Sequence, residues 1–289
     1  MRLTRIDDRA CIQVGEQHYD IARLSDQQLP SELDALVRHE LLPQVAALAT
    51  RAAGHDDAVL NGQVGPPIRR PGTIFGWGLN FGDHTTQSGL AQEEFPTLFV
   101  KFPSAVTGPY DPIVIPKGCD QVDWEAELAI VIGKPGRHIT RGDAMSHVAG
   151  LMCAQDVSER HVQLNAGTQF CLGKGFDTFC PWGPALVTLD ELPDLASLEI
   201  SCKLNGELVQ HASVGEMLCD VAELITRLSR FTTLRAGDVI LGGSPGGVGL
   251  FQTPPRFLAN GDVLETAITG IGSLLNHVTD ENRADQQPS

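Results

Sequence analysis

The chain has 289 residues, with 21 Lys+Arg against 36 Asp+Glu, a formal charge of −15 at neutral pH. Apolar residues make up 42% and charged residues 20%, enough for a sizeable core, and disorder is excluded for most of the chain. A surface this negative repels phosphate backbones and anionic lipid, and the longest basic cluster is Arg69-Arg70, so no nucleic-acid or membrane partner is expected.

Residues 1–65 read as a small N-terminal unit. The opening Met1-Arg-Leu-Thr-Arg-Ile-Asp-Asp has no apolar run behind it and differs from a secretory signal, and no stretch has the apolar length of a membrane span. A cytoplasmic protein is the expectation. Ile12-Gln-Val followed by Gly15-Glu-Gln-His-Tyr suggests a short hairpin. Ser31 then opens a helical pattern, with Leu33, Leu36, Val37, Leu41, Val45 and Leu48 on one face, which Pro43 must kink or split. The Ala/Gly/Asp-rich stretch 52–65, with Pro66-Pro67 and Pro71-Gly72, is turn and linker chemistry and marks a boundary.

From Gly72 onward the texture changes to short β-like runs separated by Gly and Pro, at 73–77, 97–101, 112–115, 125–132, 149–157, 185–188, 198–203, 239–241, 263–268 and 273–278. Asn205-Gly206 is a two-residue hairpin signal, because both residues tolerate the positive φ of a type I′ turn. One helix is expected from Ser213, with Glu216 completing a capping box and Met217, Leu218, Val221, Leu224, Ile225 and Leu228 as its buried face. Leu234-Arg-Ala-Gly-Asp-Val239 and Leu258-Ala-Asn-Gly-Asp-Val263 form a local repeat, each a Gly-containing turn leading into a strand. The tail, 281–289, is polar and expected to fray. Seven scattered cysteines without a C-x-x-C read as buried thiols rather than a disulfide framework or zinc site.

Four segments carry residues suited to chemistry. In Val122-Asp123-Trp124-Glu125-Ala126-Glu127-Leu128, strand alternation puts Asp123, Glu125 and Glu127 on one face, where unpaired burial is costly. A hard cation, Mg²⁺ or Ca²⁺ or else Mn²⁺, would relieve that cost; a solvated strand end with salt bridges is the alternative. Asp156, after an apolar strand, can supply a third ligand or cap a helix. His84, in the polar stretch Gly78–Gly89, can act as a general base or lie idle on a surface loop. Gly242-Gly243-Ser244-Pro245-Gly246-Gly247 lacks the Walker and Rossmann spacings; it is a plain turn or a set of backbone N–H donors for an oxyanion.

In their order, these segments resemble the fumarylacetoacetate hydrolase family. The matching residues are Gly78-Leu-Asn80-Phe81-x-x-His84, Pro96-x-Leu-Phe-x-Lys101, Val122-Asp-x-Glu125-x-Glu127, Asp156-Val-Ser158-x-Arg160-x-x-Gln163, Gly173-Lys174-x-x-Asp177, Gln210 after Asn205-Gly206, and Gly237-Asp238 through Gly243-Ser244-Pro245. The resemblance implies an α+β fold, mostly β: a mixed β-sandwich roll over 66–280 with a small N-terminal domain over 1–65, usually a homodimer. It implies a Mg²⁺ or Mn²⁺ site of Glu125, Glu127 and Asp156. Lys174 is implied to lie beside metal and substrate, His84 near the reacting carbon, and Lys101, Arg160, Gln163, Gly243 and Ser244 in the substrate site.

The chemistry so implied acts on small oxo-acids and diketo-acids. Hydrolytic members hold water against a His-x-x-Glu pair, but here His84-Thr-Thr-Gln87 has Gln, which can orient an imidazole and cannot accept its proton. Glu93 or Glu94 in the following loop could substitute. A C–C bond hydrolase acting on an acylpyruvate-like substrate, with His84, Gln87 and Lys174 as its catalytic residues, is the leading expectation. An isomerase, tautomerase, decarboxylase or other lyase using the same metal follows, and a non-catalytic oxo-acid binder is third. Phe170, Cys171, Trp182 and Phe251 line either the pocket or the core.

Overall fold

The computed structural model describes residues 1–52, 54–82, 97–192 and 194–281. His84, Gln87, Glu93 and Glu94 lie outside the described residues, as does the expected frayed tail from 282 onward.

The N-terminal strands are β1 (Arg2–Ile6), β2 (Arg9–Val14), β3 (Gln17–Asp20), β4 (Val59–Leu60) and β5 (Val64–Gly65). The expected hairpin joins β2 to β3 through Gly15, whose φ of 58° needs no strain in glycine. The helical pattern after Ser31 is indeed divided, into Leu33–Arg38 and Leu42–Ala52. Pro43 sits in the first turn of the second helix, where its missing N–H leaves no bond unmade.

The downstream strands are β6 (Ile74–Trp77), β7 (Leu98–Lys101), β8 (Val106–Thr107), β9 (Ile113–Ile115), β10 (Val122–Asp123), β11 (Ala126–Ile132), β12 (Val148–Gln155) and β13 (Ser158–Glu159). They continue with β14 (Cys180–Val187), β15 (Glu199–Leu204), β16 (Glu207–Ser213), β17 (Val239–Leu241), β18 (Val263–Ile268) and β19 (Gly272–Asp280). The large sheet runs β4-β3-β2-β1-β14-β12-β11-β17-β6-β7, and a second runs β16-β15-β18-β19-β9. Most pairs are antiparallel, while β17 with β6, β19 with β9 and β14 with β8 are parallel. The N-terminal meander extends the large sheet through β1, whose Arg2 lies opposite Val187 of β14. Backbone pairing thus crosses the sequence boundary at residue 65.

The two sheets stack where β11, β12 and β14 meet β15, β18 and β19. Every residue of β11 and β12 except Val148 is buried, as suits central strands that are apolar apart from Glu127 and Gln155. Asn205 and Gly206 adopt φ of 53° and 82° in the β15–β16 turn, as a type I′ hairpin demands.

The helix expected from Ser213 begins later. The Ser213–Glu216 capping box forms, but it closes a single 3₁₀ turn, Val214–Glu216. The helix itself is Val221–Phe231, N-capped by Asp220, with Val221, Leu224, Ile225 and Leu228 on its buried face. Met217 and Leu218 precede it outside the helix because the backbone there is claimed by Asn80: the Leu218 N–H donates to the Asn80 carbonyl and the Cys219 N–H to Asn80 Oδ1. The two repeats fold alike. The Asp238 carboxylate takes the Arg235 N–H and the Asp262 carboxylate the Ala259 N–H, three residues back in each turn.

Antiparallel pairing brings three strand ends together. Ala126 at the start of β11 pairs with Gln155 at the end of β12, and Ala129 with Leu241 at the end of β17. Residues just before β11, just after β12 and just after β17 therefore share one end of the sheet.

Asn80 fastens that end. Its Nδ2 donates to the carbonyls of Cys219 and Gly242, at 2.9 and 2.7 Å, and it is 1% exposed. Asn80→Ala would strand an N–H and two carbonyls away from water, and a loss on the order of 3 kcal/mol is expected from the urea midpoint at unchanged m. A loss under about 0.5 kcal/mol would show that the loop relaxes and that Asn80 is not the fastening.

Candidate metal centre

Glu125 and Glu127 bracket the first residue of β11, and Asp156 immediately follows β12. The Asp156 N–H donates to the Glu125 carbonyl at 2.8 Å, so the two ligand-bearing segments are stitched at this point. All three carboxylates are buried, and one oxygen from each lies within 4.8 Å of the others. Asp156 is no helix cap: the helix Arg160–Asn165 is capped by the Glu159 carboxylate, which takes the Val162 N–H at 2.6 Å.

Cations surround this triad. Lys174 Nζ donates to Glu125 Oε2 at 2.9 Å, Asp156 Oδ2 at 2.6 Å and Ser158 Oγ at 2.9 Å, and lies 4.5 Å from the centroid of the Phe99 ring. Lys101 Nζ holds Asp156 Oδ1 at 2.6 Å and the Val157 carbonyl at 3.0 Å. Arg160 pairs with Asp123 Oδ2 and Glu125 Oε1, both at 2.8 Å, while its Nη1 donates to Gln163 Oε1 at 2.9 Å.

Asp123 does not share the face of Glu125 and Glu127 that alternation assigns to it. Strand alternation put it beside Glu125 and Glu127, but the strand breaks at Trp124-Glu125, between β10 and β11. Its carboxylate is consumed by Arg160 and by the N–H groups of Trp124, Gly249 and Leu250.

Charge counting shows what the pocket lacks. Asp123, Glu125, Glu127 and Asp156 face Lys101, Arg160 and Lys174, four buried carboxylates against three buried cations. Glu127 is the unbalanced one: among the described residues no lysine or arginine pairs with it, and the Gly243 N–H reaches its Oε2 at 2.7 Å. Burial, then the charges of Asp156 and Glu125, push its carboxyl well above the usual glutamate range, against the smaller pull of Lys174 and the Gly243 N–H. Burial pulls the Lys174 ammonium down, but Asp156 and Glu125 outweigh it and keep it protonated. The Arg160 guanidinium, likewise buried, is held charged by Asp123 and Glu125. Each carboxylate oxygen has lone pairs beyond those the lysines use, so an all-oxygen site for a hard divalent cation fits these residues.

Gly243 occupies the place that its chemistry requires. Its φ is 94°, and a Cβ there would lie 2.6 Å from Asn80 Cβ, so only glycine brings this N–H to Glu127. Ser244 joins through Gln210, whose Nε2 donates to its Oγ at 2.8 Å. Of the other residues singled out in the sequence, Phe170 packs against Phe99 at 6.3 Å and Cys171 opens the short helix that carries Lys174. Trp182 is core, its indole N–H donating to the Ile68 carbonyl at 2.7 Å. Cys11, Cys153, Cys180, Cys202 and Cys219 are buried thiols, and burial pushes Cys180 and Cys202 up to about 12.

Two glutamines escaped the sequence reading as site residues. The Gln155 and Gln210 side-chain carbonyls accept the N–H groups of Glu125 and Ala126, at 2.8 and 2.9 Å, where the strand break leaves those donors without a ladder partner. For Gln155 the signal was a polar residue closing an otherwise apolar strand.

A family model described as fumarylacetoacetate (FAA) hydrolase, C-terminal, matches residues 73–279. The mitochondrial oxaloacetate tautomerase Fahd2a of Rattus norvegicus is 46% identical over 212 residues, covering 73% of this chain and 68% of that protein. Among solved structures, a fumarylacetoacetate hydrolase from Exiguobacterium antarcticum is 35% identical, with a TM-score of 0.83 over 97% of this chain and all of that one. A maleylpyruvate hydrolase from Sphingobium sp. SYK-6, solved with manganese(II) and pyruvate, is 29% identical, with a TM-score of 0.79 over 97% and 99% of the two chains. Among the described residues no helix is long and apolar enough to cross a membrane.

The raised Glu127 carboxyl has a stability signature. Without a cation, the folded chain keeps a proton that the unfolded chain releases, so stability falls as pH rises above the ordinary glutamate range toward the folded value. A divalent cation must displace that proton. Added Mn²⁺ should therefore raise the melting temperature by several degrees near about pH 7.5 and by less near about pH 5.5. Glu127→Gln should abolish the Mn²⁺ shift without lowering the metal-free melting temperature at neutral pH. A shift that is larger in acid, or that survives in the variant, contradicts the assignment.

Proposed function

The chain belongs to the fumarylacetoacetate hydrolase family, and from that membership we propose that it interconverts the enol and keto forms of a small 2-oxo acid such as oxaloacetate. The observation that carries this reading is the buried Glu125–Glu127–Asp156 cluster with Lys174 held protonated against it. Such a cluster suits Mg²⁺ or Mn²⁺, which supplies Lewis-acid stabilisation of negative charge on a chelating oxo-acid.

The chain's own residues divide the remaining work. Lys174, charged and with its three N–H donors taken up by Glu125, Asp156 and Ser158, places a fixed positive charge beside the negative charge developing on the substrate oxygen. Lys101 and Arg160 hold Asp156 and Glu125 in place so that the ligands need not reorganise. His84 is the proposed carrier of the carbon-bound proton. Tautomerisation moves one proton from oxygen to carbon and consumes no water, so Gln87 in place of a carboxylate is no handicap to it. The likeness to an oxaloacetate tautomerase at 46% identity supports the same choice.

C–C hydrolysis of an acylpyruvate or fumarylacetoacetate-like substrate, the reading that the sequence put first, becomes the second. It draws on the likeness to a maleylpyruvate hydrolase, and it needs water activation that the His84–Gln87 pair does not supply through a carboxylate. A homodimer is the assembly proposed for either reading, and the cytoplasm its compartment.

The test follows loss of the oxaloacetate enol absorbance beside release of pyruvate from acylpyruvates. Metal-loaded protein should accelerate ketonisation, lose that rate on chelation, and drop by roughly 10²-fold in kcat in Lys174→Met. Acylpyruvate cleavage faster than ketonisation would make the hydrolase reading the correct one. Full ketonisation under chelation would remove both.

A further inference from the structure

We infer that Gln210 is a positioning residue that fixes the Ser244 hydroxyl as a hydrogen-bond donor to an anionic oxygen of the substrate. The inference rests on the proposed oxo-acid chemistry for the identity of that acceptor. Its geometry stands on the hydrogen-bond accounting around one side-chain amide.

Gln210 lies on β16, in the smaller sheet, and is 2% exposed. Opposite Cys202 it borders the register shift between Cys202 and Lys203. Its amide orientation is settled by its neighbours. The Ala126 backbone N–H lies 2.9 Å from one end, and an N–H needs an acceptor, so that end is Oε1. The other end is therefore the NH₂ group, which meets two oxygens, Ser244 Oγ and the Pro245 carbonyl, each at 2.8 Å.

The consequence falls on Ser244. One lone pair of its Oγ is occupied by the Gln210 N–H, which removes the hydroxyl's option of donating in that direction. The remaining acceptor for its proton among the described residues is the Pro245 carbonyl at 3.4 Å, at the long limit of a hydrogen bond. Ser244 is 3% exposed, so bulk water does not compete for that proton, and a closer acceptor oxygen would take it from the Pro245 carbonyl. The residue before it in the chain, Gly243, gives its N–H to Glu127, so Ser244 follows directly on a residue bonded to the cluster.

Gln210 joins two parts of the site at once. Its Oε1 steadies the chain between Glu125 and Glu127, and its Nε2 steadies the turn that carries Ser244. A 2-oxo acid held at the cluster presents carboxylate and enolate oxygens, which are acceptors only, and a preset donor suits them. Serine and threonine would both serve at position 244, since the arrangement uses only the hydroxyl.

The test is a double-mutant cycle on oxalate affinity of the Mn²⁺-loaded protein, read by calorimetry, with Mn²⁺ affinity and melting temperature measured alongside. Gln210→Glu keeps an oxygen for the Ala126 N–H and replaces the NH₂ by an acceptor that captures the Ser244 proton. It should weaken oxalate about tenfold without weakening Mn²⁺, and raise KM for oxaloacetate far more than it lowers kcat. Ser244→Ala should weaken oxalate by a similar factor, Ser244→Thr should restore it, and the Gln210→Glu/Ser244→Ala double variant should be no weaker than Ser244→Ala alone. Multiplying effects, or a loss of Mn²⁺ affinity and melting temperature with oxalate affinity intact, would reduce Gln210 to a structural residue and overturn the inference.

If Gln210→Glu does not fold, Gln210→Met takes its place in the cycle. Ser244→Ala binding oxalate as tightly as the wild type overturns the inference in either case. Absence of ketonisation with the oxalate coupling intact would fault the proposed reaction alone, whereas ketonisation with independent effects at 210 and 244 would fault this inference alone.

Discussion

The structure is organised around an excess of buried negative charge. Four carboxylates and three cations lie out of water at one end of the large sheet, and the uncompensated charge falls on Glu127. Isolating a charged group from solvent costs several kcal/mol even after relaxation, so a chain that retains this arrangement needs a further positive charge in the pocket. A divalent cation would meet that need with the carboxylate oxygens present, and a protonated Glu127 is the alternative state of the cluster.

Topology makes the arrangement rigid. Antiparallel pairing of β11 with β12 and β17 brings the beginning of one strand beside the ends of two others, so carboxylates and backbone donors from distant parts of the chain meet without long loops. The strand break at Trp124-Glu125 would leave main-chain donors unpaired in the core. Gln155 and Gln210 take those donors, and Gly243, which tolerates φ of 94° and the close approach of Asn80, brings another donor to Glu127. The same few side chains thus complete the backbone hydrogen bonding and hold the ligands.

Much of this was legible in the sequence because the signals are local. Strand 239–241, the Asn205-Gly206 turn and the division of the helix at Pro43 follow from side-chain pattern and backbone preference alone. Glu125, Glu127 and Asp156 stood out as carboxylates at the ends of apolar strands. What misled the reading was tertiary. Ser213 and Glu216 form the capping box that their spacing announces, yet Asn80, far away in sequence, takes the backbone at Leu218 and Cys219 and delays the helix to Val221. Asp123 shares the spacing of the ligands, but the break in the strand and the pull of Arg160 turn it elsewhere. The roles of Gln155 and Gln210 depend on which donors the break exposes, and no periodicity carries that information.

For function, the described cluster supplies the charge-stabilising part of the proposed chemistry. The described residues gather buried carboxylates and fixed cations around one centre, which suits the proposed enolate chemistry on an oxo-acid. The claim on which all of this depends is that Glu125, Glu127 and Asp156 jointly hold a divalent ion. Anomalous diffraction from a crystal grown with Mn²⁺ and pyruvate, collected near the manganese edge, tests it most directly. The account predicts one strong peak in coordinating contact with all three carboxylates, with Lys174 still bonded beside it. A peak elsewhere, or a cluster closed by Lys101, Arg160 and Lys174 alone with Mn²⁺ in excess, would contradict it.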